Sequence, residues 1–266
     1  MTGEPMLVAV ERRGPVLLIR LGRPDAVNPL GPALLAELSA AVRDAQDEPG
    51  IRCVVFTGQG RSFGAGADLR EVLNRSIEEN LEYGRQLRRA FDEIAGCSVP
   101  TIAAINGYAL GGGLELALAC SIRIAAAGVA LGLPEAGLGL IPAAGGVQRI
   151  IRTIPRGAAL ELMLTGKAIN ADRGLELGMV DRVVPLETLV EEALSVAMSI
   201  ASNSPAAVQA IKWLVDRGAE LPLAAAQDMT DDGSAQVLAT MEWREGVAAF
   251  LERRPPEFAA ASGGGR

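Results

Sequence analysis

Apolar positions along the chain follow two different periods. Short runs rich in branched residues, "PVLLIRLG", "IRCVVFTG" and "VPTIAAINGYAL", read as buried strands bounded by glycine or proline. "MLVAVERRG" precedes the first of them across a Gly14-Pro15 turn, so a second strand is expected there. "GPALLAELSAAVRDAQDEP" spaces its apolar residues for one helix face, with Pro32 in the first turn and Pro49 at the stop. A more polar helix is predicted over about Ser76 to Ile94. "GGGLELALAC" then reads as helix, and "SIRIAAAGVALGL" as the strand that follows it. "GGVQRIIRTI" and "RGAALELMLTG" predict two helices, and "NADRGLELGMVDRVVP" a short helix and a strand. From about Leu186 the pattern is helical, closing with one long segment that reaches about Phe258.

Strands alternate with helices first, and helices follow alone. That order predicts an α/β core with a helical C-terminal region. The expected division is a core over 1–195, a helical region over 196–258 and a disordered tail over 259–266. No solenoid-type repeat is visible.

Composition narrows the function. About half of the 266 residues are apolar, enough for a substantial core. The net charge is −7 with no Lys/Arg block, which argues against nucleic acid as a main partner. No apolar run approaches the ~20 residues of a membrane span. The N-terminus lacks a basic-then-apolar signal layout, so a soluble cytoplasmic protein with no membrane partner is expected. The three cysteines, Cys53, Cys97 and Cys120, form no CxxC pair and are expected as reduced, buried thiols. There is no histidine. Ser-His-Asp and Cys-His triads are therefore excluded, a zinc site is disfavoured, and acid–base work near neutral pH falls to other groups, carboxylates among them.

Four stretches carry chemistry. Gly111-Gly112-Gly113 follows a strand and opens a helix, without the GK[ST] ending of a phosphate loop. It is either a tight turn that packs helix on sheet, or a helix N-terminus whose bare N–H groups hold a negative oxygen. "SFGAGADL", Ser62 to Leu69, is a second glycine loop, with a possible donor at the Ala67 N–H and a plain N-cap at Asp68. Glu115 sits about one turn into a helix of Leu and Ala, so burial is expected, while Glu135 after Pro134 also fits an ordinary first-turn glutamate. Gly145-Gly146 in "IPAAGGVQRI" read best as a structural turn with Arg149 near the surface.

Together these stretches resemble the enoyl-CoA hydratase/isomerase superfamily, the crotonases. The resemblance runs nearly the whole length, through "LGRPDAVNPL", "FGAGADL", "VPTIAAINGYALGGGLELALAC", "PEAGLGLIPAAGGVQRI", "LTGKAINADRGLELGMVDRVV" and "EGVAAFLERRPPEF". It implies a ClpP/crotonase-like spiral of ββα units with a C-terminal helical trimerisation region. It also implies a homotrimer or homohexamer, acyl-CoA thioester substrates, and no metal or other cofactor beyond the coenzyme A of the substrate. By motif position, Ala67 and Gly112 match the backbone donors of an oxyanion hole, and Glu115 and Glu135 match the catalytic pair of the hydratases. Substrate-binding candidates by the same matching are Arg23, Ala26, Ala65, Gly66, Asp68, Leu69, Tyr108, Gly111, Leu131, Pro134 and Gly137. The stretch from about Glu71 to Phe91 matches part of the acyl pocket. Both glutamates favour hydration of a trans-2-enoyl-CoA over the isomerisation of a 3-enoyl-CoA, with a non-catalytic CoA-binding protein as a further alternative. Leu131 and Ser121 depart from the Phe and Asp common in relatives, Pro29 from Ala, and Ala143 from Gly.

Overall fold

The computed structural model describes residues 7–22, 27–48 and 50–258. Arg23, Ala26, Pro49 and the tail over 259–266 lie outside the described residues. Two sheets form the core. The larger contains β1 (Val8–Arg13), β2 (Val16–Leu21), β3 (Cys53–Gly58), β5 (Thr101–Ile105), β7 (Ile122–Ala126) and β10 (Arg182–Val184), in that spatial order. Only β1 pairs antiparallel within it. The smaller sheet runs β4 (Ser62–Gly64), β6 (Tyr108–Leu110), β8 (Ala130–Gly132) and β9 (Ile169–Asn170).

The sequence reading gave "VPTIAAINGYAL" and "SIRIAAAGVALGL" one strand each. Each is two strands, β5 and β6, then β7 and β8, and the chain changes sheet between them. The "SFG" of the second glycine loop is likewise strand β4 rather than loop. The corners are short, Asn106-Gly107 in the first stretch and 127–129 with Gly128 in the second. At one corner Asn106 replaces ladder bonds with its side chain. Its Oδ1 accepts from the Gly58 N–H at 2.8 Å, and its Nδ2 donates to the Gly60 carbonyl at 2.9 Å. The result is a spiral in which successive strand pairs, one strand per sheet, are followed by helix.

Parallel β3 and β5 are buried at every position, as strands covered on both faces must be. Helix α8 (Leu189–Ala201) lies against β3 and β5, and residue 195 falls inside it. Helix α1 (Pro32–Asp47) packs on α3 (Ile77–Ala95), which begins with a full capping box between Ser76 and Glu79. Phe56, Phe63 and Phe91 anchor the core at complete burial, each stabilising by roughly 1.5–3 kcal/mol. The three cysteines are free and buried, as expected.

Short α2 (Leu69–Asn74) and α4 (Gly112–Ala119) follow the two glycine loops. Further on come α5 (Gly146–Thr153), α6 (Arg156–Thr165) and α7 (Ala171–Leu177). The C-terminal region is α9 (Pro205–Gly218), α10 (Leu223–Ala239) and α11 (Glu242–Glu252). The long final helix of the sequence reading is thus α10 and α11, broken where Met241 turns left-handed at φ 65°. No helix among the described residues is long and apolar enough to cross a membrane.

Candidate active site

The first turn of α4 sits in a tight backbone junction. Gly111 caps it with φ 52°, and its N–H donates to the Gly132 carbonyl at 2.9 Å. The N–H groups of this turn have no partner within the helix and point outward from its positive end. Gly113 is glycine because a Cβ there would collide with the Gly64 carbonyl, so α4 lies directly on β4. The second glycine loop closes on the same spot. A Cβ at Gly66 would stand 3.1 Å from the Gly112 nitrogen, so the backbone leading to Ala67 runs past the start of α4. Leu30 fastens this contact. Its N–H donates to the Gly66 carbonyl at 2.9 Å, and its Cδ1 lies 3.2 Å from the Cβ position of Gly112. Asn28, fully buried, donates to the carbonyls of Gln59 and Ser62 at 2.9 and 2.7 Å.

The two glutamates flank the Gly111-Gly112 peptide. Glu135 Oε1 is 3.0 Å from the Cβ position of Gly111, and Glu115 Oε2 is 3.9 Å from that of Gly112. Glu115 is 3% exposed. Its Oε1 accepts two backbone hydrogen bonds, from the N–H of Ala144 at 2.9 Å and of Gly146 at 2.7 Å. Burial still pushes its carboxyl up to about 7. The Gly146 and Ala144 N–H groups and the Arg149 charge oppose that rise, and the charge of Glu135 adds to it. Glu135 rides on a 3-10 turn over Pro134–Leu138 rather than in a regular helix. Its Oε2 is buried without a hydrogen-bond partner among the described residues, and burial raises its carboxyl too.

Gly145-Gly146, read from the sequence as a structural turn, support the Glu115 carboxylate directly. A Cβ on Gly146 would come within 2.7 Å of both Cγ and Oε1 of Glu115. Arg149 braces the turn, with Nη1 donating to the Ala144 carbonyl at 3.0 Å and Nη2 to Asp92 at 2.6 Å. Ala144, Gly146 and Arg149 were missed as site residues. The available signal was a second glycine pair opening a helix, the same signal that singled out Gly111-Gly113.

The remaining candidates are spread around this junction. Gly66 is buried, Ala65, Ala67 and Asp68 are half-buried, and Leu69 is exposed. Asp68 caps α2 by accepting from the Arg70 N–H at 3.0 Å. Tyr108 is about half-exposed at the start of β6, three residues before Gly111. Leu131 is fully buried and its Cδ1 faces Gly174 of α7. Pro134 backs onto Gly166, and Gly137 is exposed with nothing near its Cβ position. Ser121, where an Asp was looked for, instead exchanges hydrogen bonds with Thr101 at 3.0 and 3.3 Å. A cleft of about 940 Å³ lies between the end of α4 and helices α9 and α10; Arg149 and Asp92 line it, while Glu115, Glu135, Ala67 and Gly112 do not.

A family model described as enoyl-CoA hydratase/isomerase matches residues 11–261. The chain belongs to the enoyl-CoA hydratase/isomerase family. It is 38% identical to the mitochondrial enoyl-CoA hydratase of Pongo abelii, over 94% of this chain and 87% of that one. It is 37% identical to the crotonyl-CoA hydratase of Syntrophomonas wolfei, over 94% and 97%. The crystal structure of an enoyl-CoA hydratase from Bacillus anthracis superposes with a TM-score of 0.93 at 39% identity, covering 95% of this chain and 99% of that one. The two-sheet spiral with C-terminal helices is therefore the crotonase fold, and the protein is an enzyme of the crotonase superfamily, which acts on acyl-CoA thioesters.

Proposed function

We propose that this family member is an enoyl-CoA hydratase that adds water reversibly to a trans-2-enoyl-CoA. The observation that carries the reading is the buried Glu115 carboxylate and the half-buried Glu135 carboxylate, both set against the Gly111-Gly112 peptide. In this scheme the thioester oxygen sits against the N–H groups of Ala67 and Gly112. Glu115 takes a proton from a water molecule as the water oxygen bonds to Cβ. The Cα=Cβ electron pair moves toward the thioester, and negative charge builds on its oxygen. Losing one donor to such an oxygen typically costs ~2.7–4 kcal/mol of barrier. Glu135 gives its proton to Cα, and a proton passes from Glu115 back to Glu135 through solvent. The atoms added are those of one water, so the scheme calls on no metal or redox cofactor. The pair titrates together, and its apparent values belong to both groups.

Crotonyl-CoA hydration by the wild type, Glu115→Gln and Glu135→Gln tests the roles. Each substitution is expected to lower kcat/KM by at least ~100-fold, and the assignment fails if neither does. A second reading, isomerisation of a 3-enoyl-CoA, is favoured by one feature: Glu135 Oε2 is buried without a partner among the described residues, and one carboxylate suffices to shuttle a proton between two carbons. Faster turnover of 3-hexenoyl-CoA than hydration of 2-hexenoyl-CoA would establish it. A homotrimer or homohexamer is the assembly we expect. Phe250, Leu251 and Val247 on α11 and Leu238 on α10 are exposed apolar residues, which a partner subunit would cover. Light scattering of the purified chain reads the stoichiometry. A cytoplasmic location accords with this substrate class.

A further inference from the structure

Between α2 and α3, two buried polar atoms lack partners among the described residues: Arg75 Nη1 and Asn80 Oδ1. The rest of the Arg75 guanidinium has two contacts. Its Nη2 donates to Glu71 at 2.5 Å, and its guanidinium stacks 4.2 Å from the centre of the Tyr83 ring. Asn80 has a fixed orientation, because its Nδ2 donates to the Val72 carbonyl at 2.9 Å and so leaves Oδ1 as the free acceptor. Asn80 Nδ2 also reaches the Arg75 carbonyl at 3.5 Å, so the two residues share one corner; buried polar groups are nearly always paired, and an orphan donor and an orphan acceptor there call for an oxygen supplied from outside the chain.

This cluster is tied to the active site. The Tyr83 hydroxyl donates to the Leu30 carbonyl at 2.6 Å, and Leu30 packs on Gly112. The next residue, Gly84, has its Cβ position 3.6 Å from the Cβ of Ala143, which adjoins the Ala144 N–H that holds Glu115. Charge decides what the cluster would accept. Glu71 already balances Arg75, and Asp68 is close by in sequence, so a carboxylate would meet two like charges and could not donate to Asn80. A hydroxyl both accepts and donates. We infer that Arg75 and Asn80 select acyl chains that carry a neutral hydroxyl over plain alkyl chains. This rests on the proposed acyl-CoA hydratase reading.

The experiment compares trans-2-enoyl-CoA substrates of four, six and eight carbons with their terminally hydroxylated and terminally carboxylated counterparts, on the wild type and Arg75→Met. Dissociation constants of the matching saturated acyl-CoAs are measured by calorimetry alongside. For at least one chain length the wild type is expected to favour the hydroxylated substrate in kcat/KM by about 10-fold, a ratio that Arg75→Met brings near unity. Equal wild-type values for alkyl and hydroxylated chains at every length would overturn the inference, as would preference for the carboxylated chain or an unchanged ratio in a folded Arg75→Met. If no enoyl-CoA is hydrated at all, the proposed function fails, and the wild-type dissociation constants still decide whether a hydroxyl is recognised.

Discussion

Glu115 and Glu135 face the same glycine peptide from supports that differ in kind. Glu115 grows from a regular helix, is sealed among Leu and Ala, and has one oxygen clamped by two backbone N–H groups. Glu135 sits on a five-residue 3-10 turn whose following residues, 136–140, are exposed, and neither a clamp nor, among the described residues, any partner holds its buried Oε2. Burial raises both carboxyls, against the N–H groups of Gly146 and Ala144 in the first case and against the residue's own N–H in the second. The contrast teaches that one kind of side chain can be placed for position or for proton exchange. A clamped carboxylate holds its geometry, and a free one can change partners.

The largest break in this contrast should come from Gly146→Ala, because the added methyl occupies the place of the Glu115 carboxylate. A displacement of that size next to the reacting atoms is expected to cost kcat/KM on the order of 100-fold, read by crotonyl-CoA hydration. Stability gives a second, independent reading. Between about pH 4.5 and about 7 folded Glu115 keeps a proton that the unfolded chain has released, so stability falls as pH rises through that window. At pH 8 Glu115→Gln should therefore be more stable than the wild type, by on the order of 3 kcal/mol, with the gain vanishing near pH 4. Urea titrations at the two pH values check it, and a constant difference would mean that burial does not hold the proton.

A smaller effect is expected of Arg149→Gln. It removes the brace on the Ala144 carbonyl and a charge that lowers the Glu115 carboxyl. Activity should fall about 10-fold, and the acidic limb of the pH–rate profile should move to higher pH, which loosened packing alone would not produce. Arg152→Gln, whose guanidinium only returns to Gln148 on its own helix, serves as the control. The smallest effect is expected of Gly137→Ala on the Glu135 turn. Nothing lies within 4 Å of the new methyl, and activity should stay within about 2-fold. A large loss there would show that the turn is as tightly constrained as the clamp.

Much of this was legible in the chain. The periodic helices, the buried strands, the Asp68 cap and the two glycine loops all rest on interactions between near neighbours, which leave a local signature. Glu115 stood out for the same reason, as one charge in a run of Leu and Ala. The strand breaks have turn residues in the chain, Asn106-Gly107 and Gly128, but which sheet the next strand joins depends on pairing with distant strands. The role of Gly146 was not legible, since the atom that requires it belongs to a residue 31 positions away.

The sequence by itself determined the α/β order, the absence of any histidine chemistry, and a carboxylate too deeply placed to be ordinary. Only the tertiary structure decided which groups meet. It laid Gly66 on Gly112, set Glu135 across from Glu115, and closed the Ala144–Gly146 turn over one carboxylate oxygen. The physical reason is range. Propensity and burial act within a turn or two of chain, whereas proton affinity and hydrogen-bond partnership depend on whatever backbone the fold brings within about 3 Å.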